Sequence, residues 1–293
     1  MFSSTIIPTI NRHTLGRAVQ SVLDQDFAHD DFEIIVVNDS GVPLPDAEWQ
    51  QSPRVRVINT NRRERSVARN TGAALASGTY FHFLDDDDVL LPGALNAFWE
   101  QAQSSDAVWF YGGYQTTDND GHVLEDLNPS VDGDIFALLL AGEGIPLQAS
   151  LLRASTFFQV GAYDPLLSAC EDRDVCRRMA LVGNVRYVPS AIAQIRVGQV
   201  GSSTNWNILI SSDRWGREKI MNLPNCFSRA RAAAANSHYW RGRVFRAYIA
   251  SMVWNLQQGN GLISISRLFS AAGMVGLSFL SPAFWRGTRE KVK

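Results

Sequence analysis

The chain has 293 residues, of which 45% are apolar and 19% are charged, and this ordinary globular composition excludes a disordered protein. The net charge of −2 hides an asymmetry, because residues 1–228 hold 17 basic and 28 acidic side chains whereas residues 229–293 hold 10 basic and 1 acidic. A basic tail that contains long uncharged apolar runs fits an anionic membrane surface better than nucleic acid, so we expect no nucleic-acid partner.

The cysteine count gives no indication of cross-linking. Cys170, Cys176 and Cys226 are an odd number without C-x-x-C spacing, which predicts neither a disulfide framework nor a zinc site. The first residues lead into an apolar run without a basic region and a long apolar segment, so no signal peptide is expected. We therefore expect a cytoplasmic protein, with peripheral contact at the inner face of the membrane through the basic tail.

Short apolar runs alternate with helical patterns over the first two thirds of the chain, which is typical of an α/β domain with a parallel sheet. Strands are predicted at residues 3–7, 32–37, 55–58, 80–84, 108–111, 149–152, 185–188 and 192–197. Helices are predicted at residues 15–23, 66–76, 135–140 and 171–179, another helix at Pro92, and a hairpin near residues 118–121. We assign residues 1–105 to a nucleotide-binding half, residues 106–228 to an acceptor half and residues 229–293 to a basic, apolar helical extension.

Four aspartates, Asp85 to Asp88, directly follow the predicted strand of residues 80–84. Adjacent carboxylates repel one another, and near a sheet they take up protons unless a cation or hydrogen-bond donors face them. A hard divalent ion with oxygen ligands, Mg²⁺ or Mn²⁺, is the expected partner. The position agrees, since ligands of open α/β sheets bind beyond the carboxyl ends of the strands. The alternative is a solvated acidic loop.

Two other loops at predicted strand ends offer groups suited to a nucleotide. In the loop of residues 8–12, Thr9 and Asn11 supply hydroxyl and backbone donors, and in the loop of residues 38–41, Asp39 supplies a carboxylate that can accept a proton from a base or ribose. Because these loops and the aspartate cluster converge at one edge of a parallel sheet, they predict a single site. Taken alone, Asp39 is equally a turn former.

Arginines at positions 62, 63 and 65 lie between the third predicted strand and the next helix. One of them, Arg65, is the candidate to stack on a base or to hold phosphate oxygens. The alternative for each is a solvated basic loop. Arg69, further along the helix, is interpreted as structural.

Glu171 and Asp172 form a second pair of carboxylates, at the predicted start of a helix. A carboxylate placed opposite a diphosphate can take the proton from an attacking hydroxyl, which is the work of a general base. The alternative is an acidic pair that only complements the helix dipole.

The tail contains two runs without a charged residue, 247–266 and 268–285, bracketed by arginines. Their length would allow a membrane span, but Asn, Gln and Gly interrupt the first run, and several Ser and Pro282 dilute the second. Helices packed on the domain, or an interfacial amphipathic pair, fit these runs better, and all three arrangements stay open.

Several segments together resemble the family 2 glycosyltransferases with the GT-A fold, in order and in spacing. The segments are residues 5–12, 32–40, 66–72, 78–88 and 171–172, with residues 160–164 similar to the acceptor-side segment of that family. The resemblance spans residues 3–197. It implies a Rossmann-like nucleotide-diphospho-sugar transferase, with a mixed sheet flanked by helices and followed here by the C-terminal helical extension.

The resemblance also implies roles for individual residues. Donor-binding residues would be Pro8, Thr9, Asn11, Arg12, Asp39 at the base, Arg65, and Asp85 and Asp86 at the ribose and diphosphate. Asp87 would bind the Mn²⁺ or Mg²⁺ ion, and Asp172 would be the catalytic base with Glu171 beside it. Arg196, Ser202 and Ser203 would meet the diphosphate from the far side. The donor would be a nucleotide sugar such as a UDP-sugar, and the acceptor a glycan or a lipid-linked molecule.

The chain departs from that family in two places. The acidic pair expected after the second strand is Asn38-Asp39, with one carboxylate, and the Gln-x-x-Arg-Trp motif of processive relatives has Ser212 at its first position. The missing Gln, together with the lack of a convincing transmembrane bundle, favours transfer of a single sugar over polymerisation. The resemblance implies an inverting mechanism, in cell-surface polysaccharide or glycoconjugate synthesis. A non-catalytic nucleotide-sugar-binding or scaffold protein is the alternative. Nucleotidyl transfer is disfavoured, because residues 8–16 contain no Lys and one Gly.

Overall fold

The computed structural model describes residues 1–62, 64–198 and 205–289. Its strands are β1 (Ser3–Thr9), β2 (Phe32–Asn38), β3 (Val55–Asn59), β4 (Tyr80–Phe83), β5 (Val89–Leu90), β6 (Trp109–Thr117), β7 (Val123–Leu127), β8 (Ser150–Arg153) and β9 (Val185–Arg196). Its helices are α1 (Leu15–Leu23), α2 (Arg65–Leu75), α3 (Ala94–Gln103), α4 (Phe136–Leu140), α5 (Ala154–Gln159), α6 (Glu171–Val182), α7 (Trp206–Met221), α8 (Cys226–Ala233), α9 (His238–Gln257), α10 (Gly261–Val275) and α11 (Pro282–Arg289). Helix α7 is absent from the sequence-based prediction.

A mixed sheet joins the two halves of the molecule in the strand order β3-β2-β1-β4-β8-β6-β9-β5, with β7 paired to β6. Strand β1 is parallel to both β2 and β4, and β2 is parallel to β3. Strand β8 is antiparallel to β4 and β6, and β9 is parallel to β6. This is the helix-flanked mixed sheet that the sequence predicts, and it brings the carboxyl ends of β1, β2 and β4 to one edge.

Apolar side chains of the central strands supply both faces of the sheet. Successive residues of a strand point to opposite faces. In β2, Ile35 and Val37 join the core that includes α6 and α9, whereas Ile34 and Val36 join the core beneath α1 and α3. All four are fully buried. A strand covered on both faces has a continuous apolar sequence, which explains why the runs in the sequence located these strands.

The prediction of two strands at residues 185–188 and 192–197 was wrong in one respect, because β9 is a single strand from Val185 to Arg196. Its register against β6 shifts where Gly112 pairs with Val188 and Gly113 with Ala191. The extra residues bulge towards Gly112, where an added Cβ would lie 2.6 Å from the carbonyl oxygen of Ser190. A bulge displaces the chain without ending the pairing.

The helices of the C-terminal extension pack on the acceptor half. Buried residues of α8, α9 and α10 belong to the same apolar cluster as Val175 and Met179 of α6. The buried Arg243 of α9 also donates to Glu143 Oε1 at 2.6 Å. The expected boundary at residues 228/229 falls inside α8, and the division into two halves and an extension stays a prediction. Within the described part of the chain, the stretch Gly261–Leu280 is long and apolar enough to cross a membrane. Of its most apolar 18 residues, 28% are buried in the protein.

Candidate active site

The loop after β1 lies against the aspartates that follow β4. Thr9 Oγ1 donates to Asp86 Oδ2 at 2.5 Å, and Arg12 Nη1 donates to Asp86 Oδ1 at 2.8 Å and to Asp87 Oδ2 at 3.1 Å. Asn11, in the left-handed region with φ 68°, turns the loop, and its backbone N–H donates to Thr9 Oγ1. Parallel pairing of β1 and β4 thus brings these candidate donor-binding residues together. Pro8 lies within β1, opposite Val37 of β2.

Asp39 follows β2 and organises the loop between β3 and α2. Its carboxylate is buried and accepts from Thr60 Oγ1 at 2.8 Å, from the Arg62 backbone N–H at 2.7 Å and from the Glu64 backbone N–H at 2.7 Å. Hydrogen bonds from several donors hold a buried carboxylate in place. Asp39 therefore fixes the loop that precedes Arg65, and this contact with the loop was not predicted from the sequence.

Arg69 joins the aspartate cluster to the start of α6. Its Nη2 donates to Asp85 Oδ1 at 2.6 Å, and its Nη1 donates to Glu171 Oε1 at 2.8 Å. Arg65 Nε lies 3.1 Å from the same Glu171 oxygen, and Gln148 Nε2 donates to the other oxygen of Asp85 at 3.0 Å. Arg69, interpreted from the sequence as structural, thus joins the aspartate cluster to Glu171 through its guanidinium.

A cavity of about 380 Å³ opens beside this link. Four of the predicted residues line it, namely Arg65, Asp85, Glu171 and Asp172. The other predicted residues, Pro8, Thr9, Asn11, Arg12, Asp39, Asp86 and Asp87, are outside its lining. The predicted residues thus form two groups, one that lines the cavity and one that clusters at the end of β1. Asp85 belongs to the first group. Asp87 belongs to the second and contacts Arg12.

Helix α7 forms the opposite wall of the cavity with residues that the sequence did not single out for this purpose. Trp206, Leu209 and Ile210 give the wall an apolar surface, and Trp206 is 71% exposed. Asp213 lies deeper and accepts from the buried Arg177 Nη2 at 2.6 Å. Burial alone would raise the pKa of Asp213, but the charges of Arg177 and other arginines hold it well below its usual range. These residues of α7 form no recognisable sequence motif, so the sequence did not predict this wall.

The four consecutive aspartates have different electrostatic environments. Burial would raise the pKa of Asp85, but the charge and hydrogen bond of Arg69 lower it below its ordinary value. Burial raises the pKa of Asp86 despite the contacts from Thr9 and Arg12. Burial and then the charge of Asp85 raise the pKa of Asp87. Burial, followed by the negative charges of Asp85 and Asp87, holds the pKa of Asp88 well above its usual range.

This cluster fits a divalent metal ion. Asp85, Asp87 and Asp88 each offer an oxygen, and these atoms lie within 4.8 Å of one another. Like-charged carboxylates this close raise each other's pKa, and a hard cation with oxygen ligands relieves that repulsion. Asp85 and Asp88 are therefore candidate ligands beside the predicted metal ligand Asp87. Asp88 also accepts from the Arg196 backbone N–H at 2.8 Å, while Ser202 and Ser203 lie outside the described residues.

Asp172 is the candidate base on the other side of the cavity. It is partly buried at the start of α6 and accepts from the Arg173 backbone N–H at 2.7 Å. Burial and then the negative charge of Glu171 raise the pKa of Asp172. A raised pKa strengthens a carboxylate as a proton acceptor. Glu171 itself is committed to the two arginines of α2, so the adjacent carboxylates have different surroundings.

Comparison with known proteins agrees with this geometry. Residues 4–138 match the model of the glycosyl transferase family 2. This segment is similar to the family 2 glycosyltransferases. The match confirms the resemblance drawn from the motifs, and it includes β1, β2, β4 and the aspartate cluster.

Curated relatives are similar to part of the chain. The poly(ribitol-phosphate) β-N-acetylglucosaminyltransferase TarP of Staphylococcus aureus is 32% identical over 117 residues, which is 38% of this chain and 36% of that protein. The GalNAc(5)-diNAcBac-PP-undecaprenol β-1,3-glucosyltransferase of Campylobacter jejuni is 36% identical over 114 residues, or 36% of each chain. The chain thus spans well under half the length of these relatives.

A solved structure matches a larger share of the chain. Residues 1–349 of TarS from S. aureus, in complex with UDP-GlcNAc, superimpose with a TM-score of 0.64 and 13% identity, covering 93% of this chain and 92% of that one. Identity at this level shows the fold alone. The predicted GT-A fold is confirmed, and the superposition extends beyond the segment matched by the family model into the C-terminal helices.

Proposed function

We propose that the protein is an inverting, metal-dependent glycosyltransferase. It transfers one sugar from a nucleotide-diphosphate sugar, with UDP-sugars the first candidates, to an acceptor hydroxyl in cell-surface polysaccharide or glycoconjugate synthesis. The observation that carries this proposal is the pair of bonds from Arg69 to Asp85 and Glu171. They join the carboxylates that follow β4 to the helix start that presents Asp172, on one cavity.

The proposed reaction is a direct displacement in which Asp172 is the proton acceptor. The acceptor oxygen forms a bond to the anomeric carbon, the bond from that carbon to the diphosphate oxygen breaks, and the nucleoside diphosphate leaves with the electron pair. The hydroxyl proton passes to the Asp172 carboxylate. The raised pKa of Asp172 supports this role, because a base is most effective when its pKa approaches the working pH.

Residues at the ends of β1, β2 and β4 are proposed to hold the donor. Arg65 lines the cavity and, together with Arg12, offers a guanidinium to phosphate oxygens. The loop fixed by Asp39 is proposed to hold the base. Asp87, with Asp85 and Asp88, would hold the divalent ion, which when bound neutralises charge on the diphosphate.

The wall formed by α7 is proposed to meet the acceptor. The exposed ring of Trp206 offers a flat apolar surface on which a sugar ring can pack, with Leu209 and Ile210 beside it. The names of the C. jejuni relative and of an Escherichia coli β-1,3-glucosyltransferase that is 28% identical over 130 residues include undecaprenol-linked substrates. These names support a lipid-linked acceptor, and with it a cytoplasmic protein in peripheral contact with the inner face of the membrane.

A panel of UDP-, GDP- and dTDP-sugars with Mn²⁺ tests the proposal. Thermal unfolding identifies the donor, because a ligand that binds the folded state raises the unfolding temperature. Release of the nucleoside diphosphate then distinguishes turnover from binding. A donor that stabilises the protein but is never cleaved, with any of the acceptors supplied, would favour the non-catalytic nucleotide-sugar-binding protein instead.

A further inference from the structure

Helix α10 exposes most of its large apolar side chains and buries its one charged residue, Arg267. Its residues buried against the protein are Ser264, Arg267, Ala271 and Met274. On the outer side, Leu262 is 86% exposed, Ile265 54% and Phe269 73%. A surface helix ordinarily turns its apolar stripe inward and its charges to water. The outer side of α10 therefore serves something other than the folding of this chain.

Buried contacts of Arg267 fix the helix in this orientation. Its Nη1 donates to the Met221 carbonyl at 3.0 Å, its Nη2 to Asn222 Oδ1 at 2.5 Å and its Nε to Ser251 Oγ at 3.1 Å. Glu218 Oε2 lies 3.6 Å from the guanidinium. Rotation of α10 to hide its apolar side would remove these contacts and take the Arg267 cation away from the buried Glu218, which would keep only the hydrogen bond from Asn255 Nδ2. Loss of the cation beside a buried carboxylate is unfavourable.

Exposed apolar side chains also follow α10 along the chain. Leu277 is 79% exposed, Leu280 70% and Trp285 46%. We call the six side chains Leu262, Ile265, Phe269, Leu277, Leu280 and Trp285 the outer face. Since α10 has 15 residues, this face extends over roughly 22 Å of helix length before the residues that follow it. Monomeric soluble proteins rarely expose an apolar surface of this extent without a partner.

The charge of the C-terminal segment identifies that partner. Residues 219–289 contain nine basic side chains and no acidic one, and four of the nine, Lys219, Arg229, Arg243 and Arg267, form ion pairs within the protein. Arg286 and Arg289 are exposed on α11 next to Trp285, whose indole Nε1 donates to the Phe279 carbonyl at 2.7 Å. Arginines attract anionic lipid headgroups, and Trp favours the boundary between headgroups and acyl chains. A second copy that docked through its own outer face would bring the same arginines together, and like charges placed opposite one another disfavour that pairing.

We propose that the outer face binds the surface of a bilayer that contains anionic lipid, with α10 in the plane of the interface. Crossing the bilayer is incompatible with the contacts of Arg267 to the rest of the protein. The inference gives the proposed peripheral membrane contact a specific surface. It is independent of the transfer reaction, because lipid binding requires neither Asp172 nor a donor.

Sedimentation of the full chain with vesicles tests the proposal. The probes are vesicles of phosphatidylcholine with and without phosphatidylglycerol. We expect sedimentation with the anionic vesicles, and a loss of at least about tenfold in the partition coefficient for the double variant Leu262→Ser with Phe269→Ser, because two large side chains no longer enter the apolar boundary. The matched control is Val123→Ser with Leu124→Ser, two side chains on β7 that are 50% and 56% exposed, and it should sediment like the unaltered chain.

A charge variant and two further measurements separate the outcomes. Arg286→Gln with Arg289→Gln should weaken binding to anionic vesicles by roughly tenfold and leave binding to neutral vesicles unchanged. Donor turnover without vesicles and the unfolding temperature should be unaltered in all three double variants, so failure of this proposal is distinct from failure of the proposed enzyme. Absence of sedimentation, or equal sedimentation of the outer-face variant, overturns it. So does a dimer detected by light scattering that the outer-face variant abolishes, since the occupant would then be a second copy.

Discussion

Arg69 and Glu171 lie 102 residues apart in the chain and form a buried ion pair, with 2.8 Å between Nη1 and Oε1. The same guanidinium holds Asp85 at 2.6 Å. One side chain of α2 therefore sets the separation between the end of β4 and the start of α6. Since Asp172 follows Glu171 directly, the position of the candidate base depends on a residue that need not touch the substrate.

Substitution of Arg69 by Gln should lower both stability and turnover. It leaves Glu171 and Asp85 without their buried cation, and removal of one partner from a buried ion pair costs about 3–5 kcal/mol. Urea unfolding measures the loss of stability, and release of nucleoside diphosphate below the unfolding midpoint measures turnover.

The control for the stability measurement is Arg65→Gln. Arg65 also contacts Glu171, but its side chain is 40% exposed, so its loss should cost no more than about 1 kcal/mol. Equal destabilisation by both substitutions would contradict the role given to Arg69. Poor folding of the Arg69 variant at all temperatures would be resolved with Arg69→Lys, which keeps the charge and loses one of the two bonds.

Replacement of Asp172 by Asn should remove the proton acceptor and retain the shape of the site. We expect turnover to fall about 10²–10⁴-fold, the usual contribution of a general base, with little change in donor affinity or unfolding temperature. Single-turnover transfer and donor titration measure the two quantities. Comparable activity of the purified variant would remove Asp172 from the mechanism, and Asp118→Asn, at the exposed β6–β7 turn, is the control for loss of a carboxylate.

The sequence predicted the parts of this site that depend on strand ends. Thr9, Asp39 and Asp85 follow or end buried apolar runs, and such runs become parallel strands whose carboxyl ends share an edge. The edge is set by the sheet, so local patterns were sufficient to find these residues. Their individual roles at a donor stay predictions.

Residues whose position depends on contacts between distant segments could not be predicted in the same way. Arg69 lies within the predicted helix of residues 66–76, and nothing in the helical pattern there indicates a role in a site. Its partner Glu171 is 102 residues further along the chain. Gln148 has no local pattern at all, and Trp206 begins a helix that the sequence did not indicate. The bulge in β9 includes Pro189 and Ser190. These residue types are also common in turns, so the local sequence does not distinguish a bulge from a break between two strands.

The pH dependence of turnover should report the environment of Asp172. Burial and Glu171 raise its pKa, and a base works in its deprotonated form, so kcat/KM should decline as pH falls through that raised pKa, above the ordinary aspartate value of about 4. Glu171→Gln removes the neighbouring negative charge, and the acid limb should move to lower pH. A pH–rate profile of both proteins tests this, and an unmoved or upward-shifted limb in the variant would contradict it.

Asp87→Asn should have opposite effects on stability without and with metal. The folded protein raises the pKa of Asp87 through burial and the charge of Asp85, so the folded state binds this proton more tightly than the unfolded state does. The free energy of unfolding then decreases as pH rises from about 4 through the raised pKa. Asn removes that unfavourable charge, and the metal-free variant should be more stable at neutral pH than the unaltered chain, despite the loss of the contact with Arg12.

The metal reverses this order if Asp87 is a ligand. Mn²⁺ at about 100 times its dissociation constant should stabilise the unaltered chain by about 2.7 kcal/mol, and the variant by much less. Unfolding curves with EDTA and with Mn²⁺ measure both effects, and Asp24→Asn on the exposed end of α1 serves as the matched control. Equal stabilisation of the two proteins by Mn²⁺ would exclude Asp87 as a ligand. A less stable variant in EDTA would show that its pairing with Arg12 outweighs the repulsion from Asp85.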